Sequence, residues 1–198
     1  MSILSDKAIR EHCADPDLWF ADRPLVSPFS ESVQEGISYG LTSGGYDARL
    51  HNEVLVYKVG TTRIESVDPK QFRNLEYRAR MFDEYVAEPG GKIILPGLTY
   101  ALVQTFEEFS LPRWLKGRCV GKSTYARCGL IVNTTPLEQE WWGRLTVEVF
   151  ASVPITLYVG EGICQIEFER TEGICEVSYA DKRGKYQGQQ HVTPPKVK

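Results

Sequence analysis

Four stretches of this chain carry side chains suited to chemistry. In RLTVEVF, strand alternation puts Leu145, Val147 and Val149 on one face and Thr146, Glu148 and Phe150 on the other. A carboxylate between two valines is either a solvated surface residue or a buried general base of the kind that proton transfer near neutral pH requires. Alternation alone leaves both open. In GKSTYARCGLIVN, Gly121 frees the backbone, and Lys122, Ser123, Thr124 and Arg127 crowd donors together. That composition fits a loop that binds phosphate or orients a water, and equally an ordinary polar turn before the apolar run Gly129–Val132. The third stretch, SYADKRGKYQGQ at 178–189, interleaves tyrosines and glutamines with Lys182, Arg183 and Lys185. It reads as a lid over an anion or as a polar tail without a core of its own. The fourth, SGGYDARL, is a turn followed by a strand entry in which a lone Tyr46-Asp47 pair is usually structural.

A catalytic zinc site must also be weighed, one signature of which is H-x-E followed by P-C-x-x-C. His51-Asn52-Glu53 supplies the first half, but no two of Cys13, Cys119, Cys128, Cys164 and Cys175 stand three apart. The sequence therefore argues against a zinc centre.

These candidates need a scaffold. The 198 residues suit one domain, and 42% hydrophobic with 25% charged residues is ordinary for a globule able to bury a sizeable core. A formal net charge of −3 argues against binding a long nucleic acid. An odd number of cysteines without C-x-x-C argues against a disulfide framework and for a reducing, cytoplasmic setting. The charged opening MSILSDKAIREHC does not read as a signal peptide, and no segment approaches the length of a membrane span. Ser5 caps an expected short helix with Ile9 and Cys13 on one face. Residues 21–45 are rich in Pro, Gly and Ser and read as loop. After them come short alternating runs: EVLVYKV, KIILPG, TYALVQTF, RLTVEVF, PITLYV and ICQIEFE, with Gly160-Glu161-Gly162 expected to close a hairpin between the last two. No stretch has strong helical periodicity, so the expected fold is all-β, a sandwich or barrel of short strands. From about Lys182 to residue 198 the chain reads as a mobile extension.

The segments GKSTYARCGLIVN, TPLEQEWWGRLTVE, EGICQ and SYADKRGKYQGQ, preceded by SYG and SGGYD, resemble the dCTP deaminases in content and order. The resemblance runs from about residue 38 to the C-terminus. It implies a dUTPase-like β-clip, or distorted barrel, assembled as a homotrimer with active sites between subunits. It implies hydrolysis of dCTP to dUTP and ammonia, in the supply of dUMP and dTTP, with dTTP as a feedback inhibitor. Glu148 would be the acid/base, with Ser123 and Arg127 positioning the attacking water. Lys122, Ser123, Thr124, Tyr125, Ala126 and Arg127 would contact the nucleotide, and Thr146 and Val147 would line base and sugar. Gln165 would touch the nucleotide, while Tyr179, Lys185 and Gln189 would close over the triphosphate. Mg²⁺ would come with the phosphates rather than on protein side chains. The chain departs from the family pattern at Val149-Phe150-Ala151-Ser152, where an Asn is common, and at Trp142, where an acidic residue is common. A bifunctional enzyme yielding dUMP, or a non-catalytic nucleotide-binding regulator on the same fold, are the competing functions.

Overall fold

The computed structural model describes residues 2–58 and 66–197; Val59, the last residue of EVLVYKV, lies outside the described residues. The helices are short. α1 (Asp6–Ala14) is capped as expected: the Ser5 hydroxyl accepts the Ala8 N–H at 3.4 Å. Ile9 is fully buried and Cys13 packs half-buried on the core beside it. Burial lifts the Cys13 thiol to about 12, so it behaves as a small apolar side chain. α2 (Leu75–Met81), which periodicity did not reveal, is capped by Asn74, whose Oδ1 accepts the Glu76 and Tyr77 N–H groups. α3 (Ser123–Arg127) follows directly on Lys122.

The strands are β1 (Ser2–Ile3), β2 (Val26–Ser27), β3 (Gly40–Thr42), β4 (Gly45–Tyr57), β5 (Phe82–Val86), β6 (Lys92–Leu95) and β7 (Thr99–Ser110). They continue with β8 (Leu115–Gly121), β9 (Leu130–Val132), β10 (Pro136–Leu137), β11 (Trp142–Ala151), β12 (Ile155–Tyr158) and β13 (Gly162–Arg170). Their main sheet runs β10-β8-β13-β4-β7-β11-β9 and curls into a half-barrel, with β1, β2, β3 and β5 attached at its sides. The mostly-β expectation holds, but the central strands are long. β4 achieves this by serving two neighbours in turn. Its first half pairs with β13, Asp47 opposite Gln165, and its second half pairs with β7, Val54 opposite Val103. A register shift between Leu50 and Val54 separates the two halves, the bend that curls a sheet.

One expected connection is wrong. β12 pairs with β6, Ile155 opposite Leu95, and β13 pairs elsewhere, so Gly160-Glu161-Gly162 closes no hairpin. Instead this turn is sewn to β4 and to the loop before β3. Leu50 and the turn exchange backbone hydrogen bonds, and the Glu161 carboxylate accepts the Ile37 N–H at 2.8 Å. Alternation identifies strands but is blind to partners far along the chain.

The inward faces of β4, β7, β11 and β13 build the main core around Tyr46, Leu50, Phe109, Val147, Val149 and Phe168. A second cluster lies apart from it: Leu55 and Leu102 are packed against Phe72, Tyr77 and Phe82 from the segment containing α2. Among the described residues no helix is long and apolar enough to cross a membrane.

Candidate functional site

β11 delivers the face predicted by its alternation. Leu145, Val147 and Val149 are buried in the core, while Thr146 is buried and Glu148 and Phe150 half-buried on the opposite face. Glu148 is therefore neither solvated nor sealed. Its Oε2 accepts the Thr135 hydroxyl at 2.7 Å and the Asn133 amide at 3.2 Å. The Asn133 N–H donates to the Glu148 carbonyl at 2.9 Å, and the Cys119 N–H donates to the Thr135 carbonyl at 2.9 Å. The turn between β9 and β10 is thus pinned to β11 on one side and β8 on the other. Asn133 and Thr135 end and open two of the quoted motifs, GKSTYARCGLIVN and TPLEQEWWGRLTVE, but neither was assigned a role from the sequence.

Beside Glu148 and its polar partners runs an apolar row. Phe150 pairs with Tyr100 of β7 and with Ile131 of β9, forming a row across three strands. Tyr100 and Ile131 are 39% and 60% exposed. Burial raises the Tyr100 hydroxyl pKa, and the nearby Glu148 carboxylate adds to it.

The GKSTYAR segment divides into an outer and an inner side. Ser123, Thr124, Ala126 and Arg127 are exposed on α3. Within the chain no hydrogen bond or ion pair among the described residues joins Ser123 or Arg127 to Glu148. Lys122 is buried and forms an ion pair with Asp47, whose other oxygen accepts Gln165 Nε2 at 3.1 Å. Gln165 also reaches the Thr42 hydroxyl at 3.4 Å. The structure thus joins two expected nucleotide contacts, Lys122 and Gln165, through a carboxylate that looked merely structural in the sequence.

Two expected contacts point the wrong way for their side chains to touch a ligand. Tyr125 is buried, its hydroxyl accepts the Tyr158 N–H at 3.1 Å, and burial pushes it up to about 12. It anchors α3 to β12. Val147 is fully buried in the core, so it has no side-chain surface to offer base or sugar. Both side chains are turned inward for one reason: the segment that carries polar residues must also carry the apolar ones that hold it down.

The tail expected to be mobile is laid against β11 in this structure. Arg144 N–H donates to the Gln189 carbonyl, Gly188 N–H to the Trp142 carbonyl, and Trp141 Nε1 to the Tyr186 carbonyl. Gln189 is buried and its amide donates to the Arg144 carbonyl at 2.6 Å and to the Thr146 hydroxyl at 3.4 Å. The Tyr179 hydroxyl accepts the Tyr186 N–H at 2.9 Å, and a side chain at Gly184 would overlap the Tyr179 ring. Arg113 ties the start of the tail down, pairing with Glu140 at 2.9 Å and Asp181 at 2.6 Å. The hydrogen bond from Arg113 to Glu140 and the one from the Ser178 backbone N–H to Asp181 hold both carboxyls below their usual range, and the Arg113 charge adds to each. Lys185 stays exposed, its ammonium 5.5 Å from the Tyr186 ring centre.

The H-x-E segment does other work. Glu53 pairs with His191 of the tail at 2.9 Å, and His51 stacks on Phe106 with its pKa lowered by burial and by Arg144. Among the described residues no group of three His, Cys, Asp or Glu is arranged to hold a metal ion.

A half-buried glutamate on a strand, a donor-rich helix at 123–127 and a tail carrying Tyr, Lys and Gln stand in the order of one known family. Residues 3–171 match the dCTP deaminase-like family. This chain belongs to the dCTP deaminase family. The dCTP deaminase of Acidobacterium capsulatum is 43% identical over 201 residues, covering 100% of both chains. That of Rhodospirillum centenum is 44% identical over 192 residues, 92% of this chain and 98% of its own. The solved structure of the dCTP deaminase from Agrobacterium tumefaciens shares the fold, with a TM-score of 0.60 at 16% identity over 87% of this chain. This chain spans about half of that protein's length, 49%.

Proposed function

We propose that this chain hydrolyses the 4-amino group of dCTP, giving dUTP and ammonia, with Glu148 as the acid/base. The observation that carries the mechanism is the placement of Glu148: half-buried, held by neutral donors, beside an apolar row. Among the described residues of its own chain such a carboxylate has no counter-ion to quench it, and it has limited water to compete for it. In the reaction a water O–H bond breaks, its proton passes to Glu148 and its oxygen adds to C4 of cytosine. The proton goes on to N3. The carboxylate then carries the remaining hydroxyl proton from the tetrahedral carbon to the departing nitrogen, the C4–N bond breaks, and ammonia leaves behind a C4 carbonyl.

Ser123 and Arg127 are proposed to orient the water from a neighbouring copy of the chain. Two observations support this reading: among the described residues no hydrogen bond or ion pair joins them to Glu148 in their own chain, and the Tyr100–Phe150–Ile131 row is a partly exposed apolar strip beside Glu148 of the kind that subunits cover. The assembly proposed is a homotrimer. The substrate enters as its magnesium complex, the ion held by phosphate oxygens and waters. Lys185, an exposed flexible cation beside the Tyr186 ring, suits the triphosphate. The proton transfers run on Glu148 alone, without zinc. Competitive inhibition by dTTP belongs to the same proposal.

The test is product analysis with dCTP and Mg²⁺ after exhaustive zinc chelation. dUTP with ammonia supports the proposal; dUMP identifies a bifunctional enzyme, and unchanged dCTP a binding protein. Mixing Glu148→Gln and Arg127→Ala chains tests the shared site. Activity regained in the mixture supports it, and a mixture as inactive as its parts refutes it.

A further inference from the structure

The two oxygens of Glu148 are not equivalent. Oε2 takes both the Thr135 hydroxyl, at 2.7 Å, and the Asn133 amide, at 3.2 Å, whereas no hydrogen bond among the described residues reaches Oε1. The two donors also hold each other, Asn133 Nδ2 lying 3.3 Å from the Thr135 hydroxyl oxygen. Their backbones are fixed independently of their side chains, Asn133 on β11 and Thr135 on β8. We propose that Thr135 and Asn133 are positioning residues of the deamination: they hold Oε2 and so assign to Oε1 the exchange of protons with water and base. This inference rests on the reading of Glu148 as the acid/base.

The physical argument concerns a soft torsion. The terminal torsion of a glutamate is broad and roughly two-fold, so a free carboxylate samples many planes and exchanges its oxygens. Two donors on one oxygen fix the plane and leave the other oxygen's lone pairs facing outward. Both donors are neutral. A lysine or arginine in their place would hold the carboxylate as firmly but would favour its charged form and oppose the uptake of a proton. The hydroxyl and amide orient the group while leaving it able to accept a proton. Thr135 is half-buried, so its hydroxyl is partly shielded from competing water.

The experiment compares Thr135→Val, Thr135→Ser and Asn133→Ala with the parent. Thr135→Val keeps the shape and removes the hydroxyl. Its kcat is expected to fall about ten- to a hundredfold, as misplacement of a reacting group does, with KM for dCTP changed less than about threefold. Thr135→Ser restores the hydroxyl and most of the rate. Asn133→Ala, at an exposed residue whose loss the fold tolerates, lowers kcat in the same direction by less, because its contact is longer. In a Glu148→Gln background, Thr135→Val has no further effect on residual rate, the coupling expected of residues acting through one another. Unchanged kcat in both Thr135→Val and Asn133→Ala overturns the proposal. So does a Thr135→Ser chain as slow as Thr135→Val, since then the threonine's shape and not its hydroxyl matters. Glu148→Gln separates the two levels: if it stays active, the acid/base reading fails and this inference with it. If it is inactive while Thr135→Val and Asn133→Ala both keep the parent kcat, only this inference fails.

Discussion

Two carboxylates on the same sheet are handled in opposite ways. Asp47 on β4 is buried, matched by the ammonium of Lys122 and by the amide of Gln165. Glu107 on β7 follows the same pattern: fully buried, it is paired with the Arg49 guanidinium at 2.6 Å, which opposes the upward push of burial on its pKa. Glu148 on β11 has, among the described residues of its own chain, no cation partner, only a hydroxyl and an amide. A carboxylate that must stay put is given a counter-charge, because an unpaired buried charge is costly. One that must gain and lose a proton is left near the surface with neutral partners. Absence of a counter-ion, more than the presence of a glutamate, marks the reactive group.

The largest effect that could break this contrast comes from Glu148→Gln. The amide keeps the shape but cannot shuttle a proton, so kcat should fall on the order of 10²–10⁴-fold with the fold intact. Turnover within tenfold of the parent in a steady-state ammonia assay would show that Glu148 is not the reactive carboxylate. Lys122→Ala addresses the other side. It leaves Asp47 buried and uncompensated, and should destabilise the chain by about 3–5 kcal/mol in urea unfolding. Adding Asp47→Asn should recover much of that loss. If Lys122→Ala costs nothing, the pair is not what stabilises Asp47.

The tail sharpens the contrast, because it covers Thr146, two positions from Glu148 on the same face. Its polar residues have little core of their own, so its docking leans on β11 and Arg113. Truncation after Asp181 should leave the sheet folded but raise KM for dCTP about tenfold or more through lost charge-assisted contacts. Limited proteolysis with and without dCTP–Mg²⁺ should show protection of residues 182–189 by the nucleotide. Equal cleavage and normal kinetics after truncation would reduce the tail to a passive extension.

The smallest effect concerns a third case, a buried polar group with no partner among the described residues. Gln104 sits opposite Thr146 on β7, fully buried, and among the described residues neither amide atom has a hydrogen-bond partner. Gln104→Met should stabilise the fold by about 1 kcal/mol, since an apolar side chain of similar shape removes an unpaired donor and acceptor. A lower melting temperature would show that the amide has a partner in the working protein.

The resemblance held over almost the whole chain because motif order survives as text: Glu148 after TPLEQEWWGRLTV, Gln165 after EGIC, Tyr179, Lys185 and Gln189 in SYADKRGKYQGQ. Alternation placed Glu148 opposite Val147 and Val149, and the Ser5 cap announced α1, because both depend on neighbours a few residues apart. What the sequence left open was the state of each group. Whether Glu148 was wet or buried depended on strands β7 and β9 lying on either side of it, and on a turn that brings Thr135 back from 13 positions away. That Asp47 was more than a strand entry depended on Lys122, 75 positions along the chain. That Gly160–Gly162 closes no hairpin depended on β12 finding β6 instead of β13. Local pattern chooses which face a side chain points to. Hydrogen-bond partners, counter-charges and burial belong to pairs of segments, and only the folded sheet decides which segments meet.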